Sequence, residues 1–270
     1  MLLSDDQILI RDSAREFAQG EIAPRAAEMD KTAEFPTDIA VKLGELGFLG
    51  MTISEEWGGI GADNVSLALV IEEISAADGA CGLLVGLQNS VVCGPINQFG
   101  SKEQKDRFLR PAARGEMRGC FCLTEPQAGS DASNLRTRAE LRGNRYIVNG
   151  SKQFISSGST ADFALIFGVT DPDAGKKGIS AFIALTDADG YQVVTREDKL
   201  GQRASDTCQL SFNDLEVFPD MVLGEPGEGY RIALANLEGG RIGIGAQALG
   251  IGRAAYEAAL SYAKDRESMG

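Results

Sequence analysis

Histidine, the side chain that most often acts as a general acid or base, is absent from this sequence of 270 residues. Its absence excludes Ser-His-Asp and Cys-His catalysis, HExxH zinc sites and histidine general bases. The five cysteines are odd in number and match neither a disulfide framework nor a CxxC redox pair: Cys81, Cys93, Cys120, Cys122 and Cys208. We interpret them as buried free thiols in a reducing compartment.

Glycine-rich segments could hold phosphate groups, but their contexts differ from the known nucleotide loops. Neither GEPGEG (residues 224–229) nor GIG (residues 243–245) follows a strand with a parallel continuation, as a Rossmann turn requires. The sequence also contains no Walker loop. A dinucleotide would therefore have to bind in another architecture.

Three further segments resemble, in order, the motifs of the acyl-CoA dehydrogenase family. FCLTEPQAGSD (residues 121–131) matches the pattern of an aromatic residue, L/V-T-E-P and A/S-G-S-D. GSKQFIS (residues 150–156) matches G-x-K-x-W-I-T/S, with Phe154 in place of the commoner Trp, and Gly201, Arg203, Ser205 and Thr207 match G-x-R-x-S-x-T. The resemblance covers the whole chain, including the Trp57-Gly58-Gly59 loop.

The resemblance implies an α+β fold of the acyl-CoA dehydrogenase type. We expect an N-terminal helical domain (residues 1–117), a middle antiparallel β domain that binds flavin and acyl-CoA (residues 118–222), and the first part of a C-terminal helical bundle (residues 223–270). The implied activity is FAD-dependent α,β-dehydrogenation of an acyl-CoA to the 2-enoyl-CoA, as in fatty acid β-oxidation. The implied partners are an electron-transfer flavoprotein and identical subunits, in a tetramer or dimer.

The resemblance also assigns cofactor contacts. Phe121, Leu123 and Thr124 are expected on one side of the isoalloxazine, and Phe154, Ile155 and Ser156 form the wall behind it. Backbone N–H groups and hydroxyls there could stabilise the charge of a reduced flavin. The other expected cofactor contacts are Gly129, Ser130 and Arg266, and the resemblance implies that Arg266 binds the FAD pyrophosphate across a subunit interface. The alternatives are a core residue for Phe154, a turn residue for Ser130 and a plain surface residue for Arg266.

Substrate contacts are expected at Ser130 and at the segment Glu238, Gly239, Gly240 and Arg241. We interpret this segment as the start of a helix, where backbone N–H groups bind anions and Arg241 adds positive charge. The alternative for Arg241 is a solvated arginine at a helix start.

The sequence offers no catalytic base. Relatives carry the proton-abstracting Glu either in the C-terminal helices, beyond Gly270 here, or at the position of Gly240. We interpret the chain as a fragment of a normal enzyme; the alternative is a truncated, non-catalytic flavin- or CoA-binding protein. Gly240 and Phe154 favour a short straight or branched acyl-CoA, and a related flavin-dependent oxidase is a further alternative.

Helical and β patterns alternate along the chain. Capping boxes at Ser4–Gln7 and Ser101–Gln104 begin helices that we expect to end at Pro24 and before Pro111. Between about residues 119 and 219, short β-branched runs predict a small antiparallel sandwich or barrel, with a hairpin turn at Asn149-Gly150. A long helix follows, with an apolar face at Ile242, Ala246, Leu249, Tyr256 and Leu260.

The overall composition limits the partners. With 26 Lys and Arg against 39 Asp and Glu, the net charge is 26 − 39 = −13, so nucleic acid is an unsuitable partner. We expect no membrane span, and no leader is evident in MLLSDDQ. The expected location is the cytoplasm for a bacterial protein, or the mitochondrial matrix for a processed eukaryotic one.

Overall fold

The computed structural model of the chain describes residues 2–269. Its first part is helical, with α1 to α8 at Asp5–Phe17, Ala26–Thr32, Thr37–Glu45, Asn64–Ala77, Gly79–Leu87, Gly94–Phe99, Lys102–Gln104 and Arg110–Ala113. The side chains of Ser4 and Ser101 each accept a hydrogen bond from the backbone three residues on, which confirms both capping boxes. Ile39 and Leu43 of α3 are fully buried, as their spacing indicates.

Neither proline ends its helix, so both expected boundaries are wrong. α1 continues through a π-helix (Ala18–Ile22) and a 3-10 turn (Ala23–Arg25) that contains Pro24, and then into α2. The helix that begins at Ser101 likewise passes through a π-helix (Lys105–Leu109) into α8, which contains Pro111. Proline removes a backbone donor, and its ring clashes with the carbonyl four residues earlier; the changed hydrogen-bond spacing of π and 3-10 turns accommodates both effects.

The middle part contains the strands β1 to β8 at Gly119–Cys122, Arg138–Arg142, Arg145–Ser156, Phe163–Val169, Ile179–Leu185, Tyr191–Arg196, Thr207–Val217 and Val222–Leu223. They form one sheet with strand order β6-β7-β3-β2-β4-β5-β8, while β1 pairs with β4. Most neighbouring strands are antiparallel, but β1 and β2 both run parallel to β4.

The expected hairpin at Asn149-Gly150 is wrong, because β3 runs straight through both residues. The turn lies earlier, where β2 and β3 join across Gly143, whose φ is 64°. Asn149 instead donates from its side chain to Asp214 of β7 at 2.9 Å. At Gly150 the pairing of β3 with β7 shifts by one residue, so the Asn-Gly pair marks a bulge rather than a turn.

The last part is the single helix α9 at Gly229–Asp265. The expected apolar face is largely exposed, since Ile242, Leu249 and Tyr256 are each more than half accessible. The buried face instead carries small and polar residues such as Gln247 and Gly250. A Cβ at Gly250 would lie 2.2 Å from the carbonyl oxygen of Glu72 in α4. The glycines therefore allow α9 to approach α4 closely, and this contact decides which face is covered.

Two apolar clusters form the core. One packs the sheet against residues of α6, the Gln88–Cys93 π-helix and the start of α9. The other lies among α1, α3, α4 and α5.

The helical run Gly79–Phe99 is 21 residues long, with a mean hydropathy of 1.4 in its most apolar window. By its length and composition alone, this run could cross a membrane, a feature that the sequence expectation did not include. However, 67% of that window is buried within the protein. The run is therefore a core helix, and packing accounts for its apolar character.

A buried carboxylate joins α1, α4 and α9. Glu73 is 3% exposed and accepts hydrogen bonds from Arg15 at 2.7 Å and from Arg253 at 2.7 and 2.9 Å. Burial raises the pKa of Glu73, but the two guanidinium groups more than offset it and hold the pKa below its ordinary value. At pH values above the ordinary carboxyl pKa, the Glu73 carboxylate therefore stabilises the fold. This contribution is lost as the pH falls through the lowered pKa of Glu73.

We expect Glu73→Gln to lower the free energy of unfolding by roughly 3 kcal/mol near neutral pH, because it leaves two arginines facing each other. The difference from wild type should shrink on acidification, when Glu73 of the wild type is itself protonated. Urea denaturation across the pH range measures both effects. Glu257→Gln is the control, since Glu257 is 65% exposed and lies 4.0 Å from Arg253. Equal losses in the two variants would contradict the assignment.

Candidate functional site

A fully buried ion pair lies at the centre of the predicted flavin site. Lys152 of β3 is 0% exposed, and its Nζ donates to Glu125 Oε1 at 2.8 Å and to the carbonyl oxygen of Leu123 at 3.0 Å. Burial lowers the pKa of Lys152, and the Glu125 carboxylate opposes that shift. Burial raises the pKa of Glu125, but the Lys152 ammonium and backbone donors hold it below its ordinary value. Each charge of the pair thus opposes the effect of burial on the pKa of its partner.

The same carboxylate organises the loop that follows β1. Its oxygens accept hydrogen bonds from the backbone N–H groups of Arg136 at 2.6 Å and Thr137 at 3.1 Å, and from the Gln127 side chain at 2.7 Å. Glu125 and Ala128 also exchange two backbone hydrogen bonds of 3.0 Å. In the sequence, Glu125 and Lys152 are visible only as members of the family motifs. The sequence signal that could have identified the buried pair is a lysine within a strand whose other residues on one face are apolar.

Phe154 stands out of the sheet beside this loop. The pairing of β3 with β7 is irregular between Lys152 and Ile155, and Phe154 has a φ of 57° with its side chain 63% exposed. A positive φ is uncommon for a bulky residue and marks a constrained site. The preceding residue, Gln153, donates from its backbone to the carbonyl oxygen of Thr124 at 2.9 Å. The alternative of a core residue is thus excluded, and Phe154 lies next to the predicted loop.

The other predicted wall residues occupy different environments. The side chain of Ile155 is 2% exposed and belongs to the core, so only its backbone can face a ligand. Phe121 is half-buried, with its ring centroid 4.8 Å from that of Phe167. Leu123 is 7% exposed. The bulge in β3 thus turns the Phe154 side chain outward and leaves that of Ile155 in the core.

Hydroxyl groups near the loop differ in whether they are already hydrogen-bonded within the protein. The hydroxyls of Ser159 and Thr160 donate to Asp206 at 2.8 and 2.9 Å. Those of Thr124, Ser130 and Ser156 make no hydrogen bond with any group in residues 2–269. Gly129 and Ser130 are exposed. These three hydroxyls can therefore serve a polar ligand.

An apolar groove of about 620 Å³ lies between α5, the Gln88–Cys93 π-helix and α9. Its lining consists of glycines, aliphatic side chains and a few polar groups: Gly82, Leu83, Gly86, Leu87, Ser90, Val91, Leu237, Gly240, Arg241, Gly243, Ile244 and Gln247. Ile71 of α4 lies beneath it, because its Cδ1 is 3.6 Å from a Cβ built on Gly86 and 3.3 Å from one built on Gly243. No carboxylate lines the groove in the described part of the chain.

The predicted helix start at residues 238–241 is wrong. α9 begins at Gly229, so these residues lie more than two turns inside it, where backbone N–H groups are already bonded to carbonyls four residues earlier. Gly240 borders the groove, with a built Cβ 3.6 Å from Ser90 Oγ, whereas Glu238 and Gly239 are exposed. Arg241 is exposed at the groove edge and forms no salt bridge with the carboxylates of residues 2–269. It is a solvated cation, but not at a helix start.

Arg266 lies away from both features. It follows the last turn of α9, where its backbone N–H donates to Tyr262 at 2.9 Å, and its side chain is exposed. The structure therefore brings together the loop after β1 and Phe154, and Gly240 with Arg241. The contact of Arg266 is expected across a subunit interface and stays a prediction.

We expect Lys152→Met to lower the free energy of unfolding by about 3–5 kcal/mol, because it leaves the Glu125 carboxylate buried without its partner. Arg145→Met is the matched control, since Arg145 of β3 pairs with Glu216 at the surface, and loss of an exposed pair costs about 0–1 kcal/mol. Urea denaturation measures both. A Lys152→Met variant as stable as the control would contradict the importance of the pair.

Comparison with known proteins places this geometry in a family. The N-terminal, middle and C-terminal domains of acyl-CoA dehydrogenase match residues 4–116, 120–215 and 227–270. A relative from Clostridium acetobutylicum named "Acyl-CoA dehydrogenase, short-chain specific" is 43% identical over 99% of this chain and 71% of its own length.

Solved structures agree. Butyryl-CoA dehydrogenase from Megasphaera elsdenii has a TM-score of 0.96 and 38% identity over 100% of this chain and 72% of that one. A chain in a structure described as the electron transferring flavoprotein of Acidaminococcus fermentans has a TM-score of 0.98 and 44% identity, covering 100% and 71%. The protein thus belongs to the acyl-CoA dehydrogenase family of FAD-dependent oxidoreductases.

Proposed function

We propose that the protein binds FAD and dehydrogenates a short straight or branched acyl-CoA to its 2-enoyl-CoA. The observation that carries this proposal is the apolar groove between α5 and α9, which is lined by Arg241 and by the buried amide of Gln247. Gln247 follows Arg241 by six residues, or about 9 Å along a helix that rises 1.5 Å per residue. An extended acyl chain advances about 1.2 Å per bond, so the distance along α9 between Arg241 and Gln247 suits a short acyl group.

The residues around Phe154 fit a flavin. The exposed Phe154 ring offers a flat apolar face for stacking, and the hydroxyls of Thr124 and Ser156 can donate to the pyrimidine edge of the ring system. Ser130 would contact a phosphate or the pantetheine. When bound, FAD supplies the acceptor for the substrate hydride. The Glu125–Lys152 pair keeps the Thr124 loop against β3, so the donors are held in place before the cofactor arrives.

The polar groups of the groove suit a thioester of CoA. Arg241 is a solvated cation at the groove edge in a chain with a net charge of −13, and it would bind an anionic or polar part of CoA. Gly240 leaves room for the ligand against α9. We assign the proton acceptor to none of the described residues, because no carboxylate lines the groove within them.

We further propose that an electron-transfer flavoprotein accepts the electrons and that the chain acts as a homo-oligomer. The likeness to a chain from the A. fermentans electron transferring flavoprotein structure supports the first point. Tetramers are typical of the family, which supports the second.

The test is an anaerobic titration of the flavin-loaded protein with acyl-CoAs of increasing length. Loss of the visible flavin band with butyryl-CoA or isobutyryl-CoA is expected. Preference for a long chain would contradict the substrate class. Rapid peroxide formation in air would identify an oxidase instead, and a flavin that no acyl-CoA reduces would indicate a non-catalytic binding protein.

We expect Phe154→Ala to weaken FAD binding roughly tenfold, the value of one aromatic stacking contact, with little change in melting temperature because the ring is exposed. Phe154→Trp should bind FAD at least as tightly. Isothermal titration of the apoprotein measures both. Phe218→Ala removes another exposed ring, 49% accessible, and serves as the control. If both alanine variants bind FAD alike, the stacking role is wrong.

We expect Gln247→Ala to shift the chain-length preference. Gln247 is 5% exposed and donates to the carbonyl oxygen of Gly79 at 2.7 Å, so its removal opens the end of the groove. The ratio of kcat/KM for hexanoyl-CoA to that for butyryl-CoA should rise roughly tenfold, since each methylene in an apolar pocket contributes about 1–3 kcal/mol. Gln192→Ala, in β6, is the control. An unchanged ratio would show that Gln247 does not close the groove.

A further inference from the structure

A buried glutamine joins the groove to the sheet. Gln88 is 0% exposed and is the first residue of the Gln88–Cys93 π-helix. Its Nε2 donates to the carbonyl oxygen of Gly119 at 2.9 Å, and its Oε1 accepts from the Gly119 N–H at 3.2 Å. The side-chain amide thus pairs with both backbone groups of one residue, as a neighbouring strand would.

Gly119 is the first residue of β1, which leads into the predicted flavin loop. β1 pairs with β4 on one side, from Gly119 opposite Phe163 to Cys122 opposite Ile166. A Cβ built on Gly119 would lie 2.5 Å from Val92 Cγ1, so the π-helix touches the strand directly. Thr124 follows β1 by two residues, and any shift of the strand start is therefore transmitted to the loop.

The π-helix also forms one wall of the groove through Ser90 and Val91. Asn89, the residue after Gln88 in the π-helix, faces the N-terminal helical part. Its side chain accepts a hydrogen bond from the Met51 N–H at 2.6 Å and donates to the carbonyl oxygens of Phe48 and Val85 at 2.8 and 2.9 Å. Gln88 and Asn89 therefore join the groove wall to two different parts of the protein. π-Helical turns occur frequently at functional sites.

We propose that Gln88 is a positioning residue, which fixes the groove wall relative to the strand that carries the flavin loop. The inference rests on the proposed function, since it assumes flavin at the loop and an acyl group in the groove. Hydride transfer depends on the distance between the reacting atoms, and a misplacement of about 1 Å can cost about 100-fold in rate. The two hydrogen bonds between the buried Gln88 amide and Gly119, at the start of β1, restrict the distance between an acyl group in the groove and flavin at the loop.

The competing interpretation is a buried amide that serves stability alone. The chain offers a matched control in Gln104, which is 5% exposed and donates to the carbonyl oxygens of Asp220 and Val222, both at 2.8 Å. Gln104 lies outside the groove and the flavin loop. Gln88→Met and Gln104→Met each remove a buried amide and keep a side chain of similar length.

The experiment uses the flavin-loaded protein and butyryl-CoA. It measures melting temperature, FAD content, the shift of the visible flavin band on binding of butyryl-CoA, and the single-turnover rate of flavin reduction. For Gln88→Met we expect a roughly 100-fold slower reduction, with a changed band shift and a nearly unchanged Kd for butyryl-CoA. For Gln104→Met we expect the wild-type band shift and rate, with a similar loss of melting temperature.

Equal band shifts in the two variants would overturn the proposal whether or not butyryl-CoA reduces the flavin, and equal reduction rates would overturn it where the flavin is reduced. A wild-type protein that binds neither FAD nor butyryl-CoA would overturn the proposed function instead, so the two failures are distinguishable. If Gln88→Met does not fold, Gln88→Asn replaces it, because it keeps a neutral buried amide that is too short to bond both backbone groups of Gly119 in the same way. The same two outcomes then decide the proposal.

Discussion

The Glu125–Lys152 ion pair is the interaction on which the site depends. Two buried charges are stable only when paired and hydrogen-bonded, and here the remaining polar atoms bind the backbone of the loop at Leu123, Arg136 and Thr137. The charge pair therefore fixes where the loop lies. Because Lys152 points inward, the bulge that follows it can turn Phe154 outward, next to Thr124. One ion pair thus sets both sides of the proposed flavin site.

The groove depends on a second constraint, the close packing of two helices on α4. Gly250 brings α9 against the backbone of α4 at Glu72, and a Cβ on Gly82 of α5 would lie 1.9 Å from Ser75 Oγ of α4. The two helices are thus held side by side, with Ile71 beneath the space between them. The Glu73 carboxylate, bonded to Arg15 and Arg253, stabilises the same arrangement. Glycines that weaken an isolated helix are here what makes the groove possible.

Much of the fold was predictable from local patterns. Both capping boxes and the β character of residues 119–219 follow from residue types close in sequence. The wrong turn and helix boundaries share one cause. Asn149-Gly150 lies inside β3, and Pro24 lies inside a helical run. In each case a tertiary contact, or a local π or 3-10 turn, overrides the local preference.

The sequence by itself determined the family, the order of helical and β parts, and the segments that contain the flavin loop and Phe154. Motif spacing along one chain suffices for these because they depend on residue types in order. Only the tertiary structure decided that Ile155 is buried while Phe154 is exposed, that residues 238–241 lie inside α9, and that Gln88 joins the groove wall to β1. These facts depend on pairings between residues far apart in the chain, where the burial of charges and the close approach of backbones set the outcome.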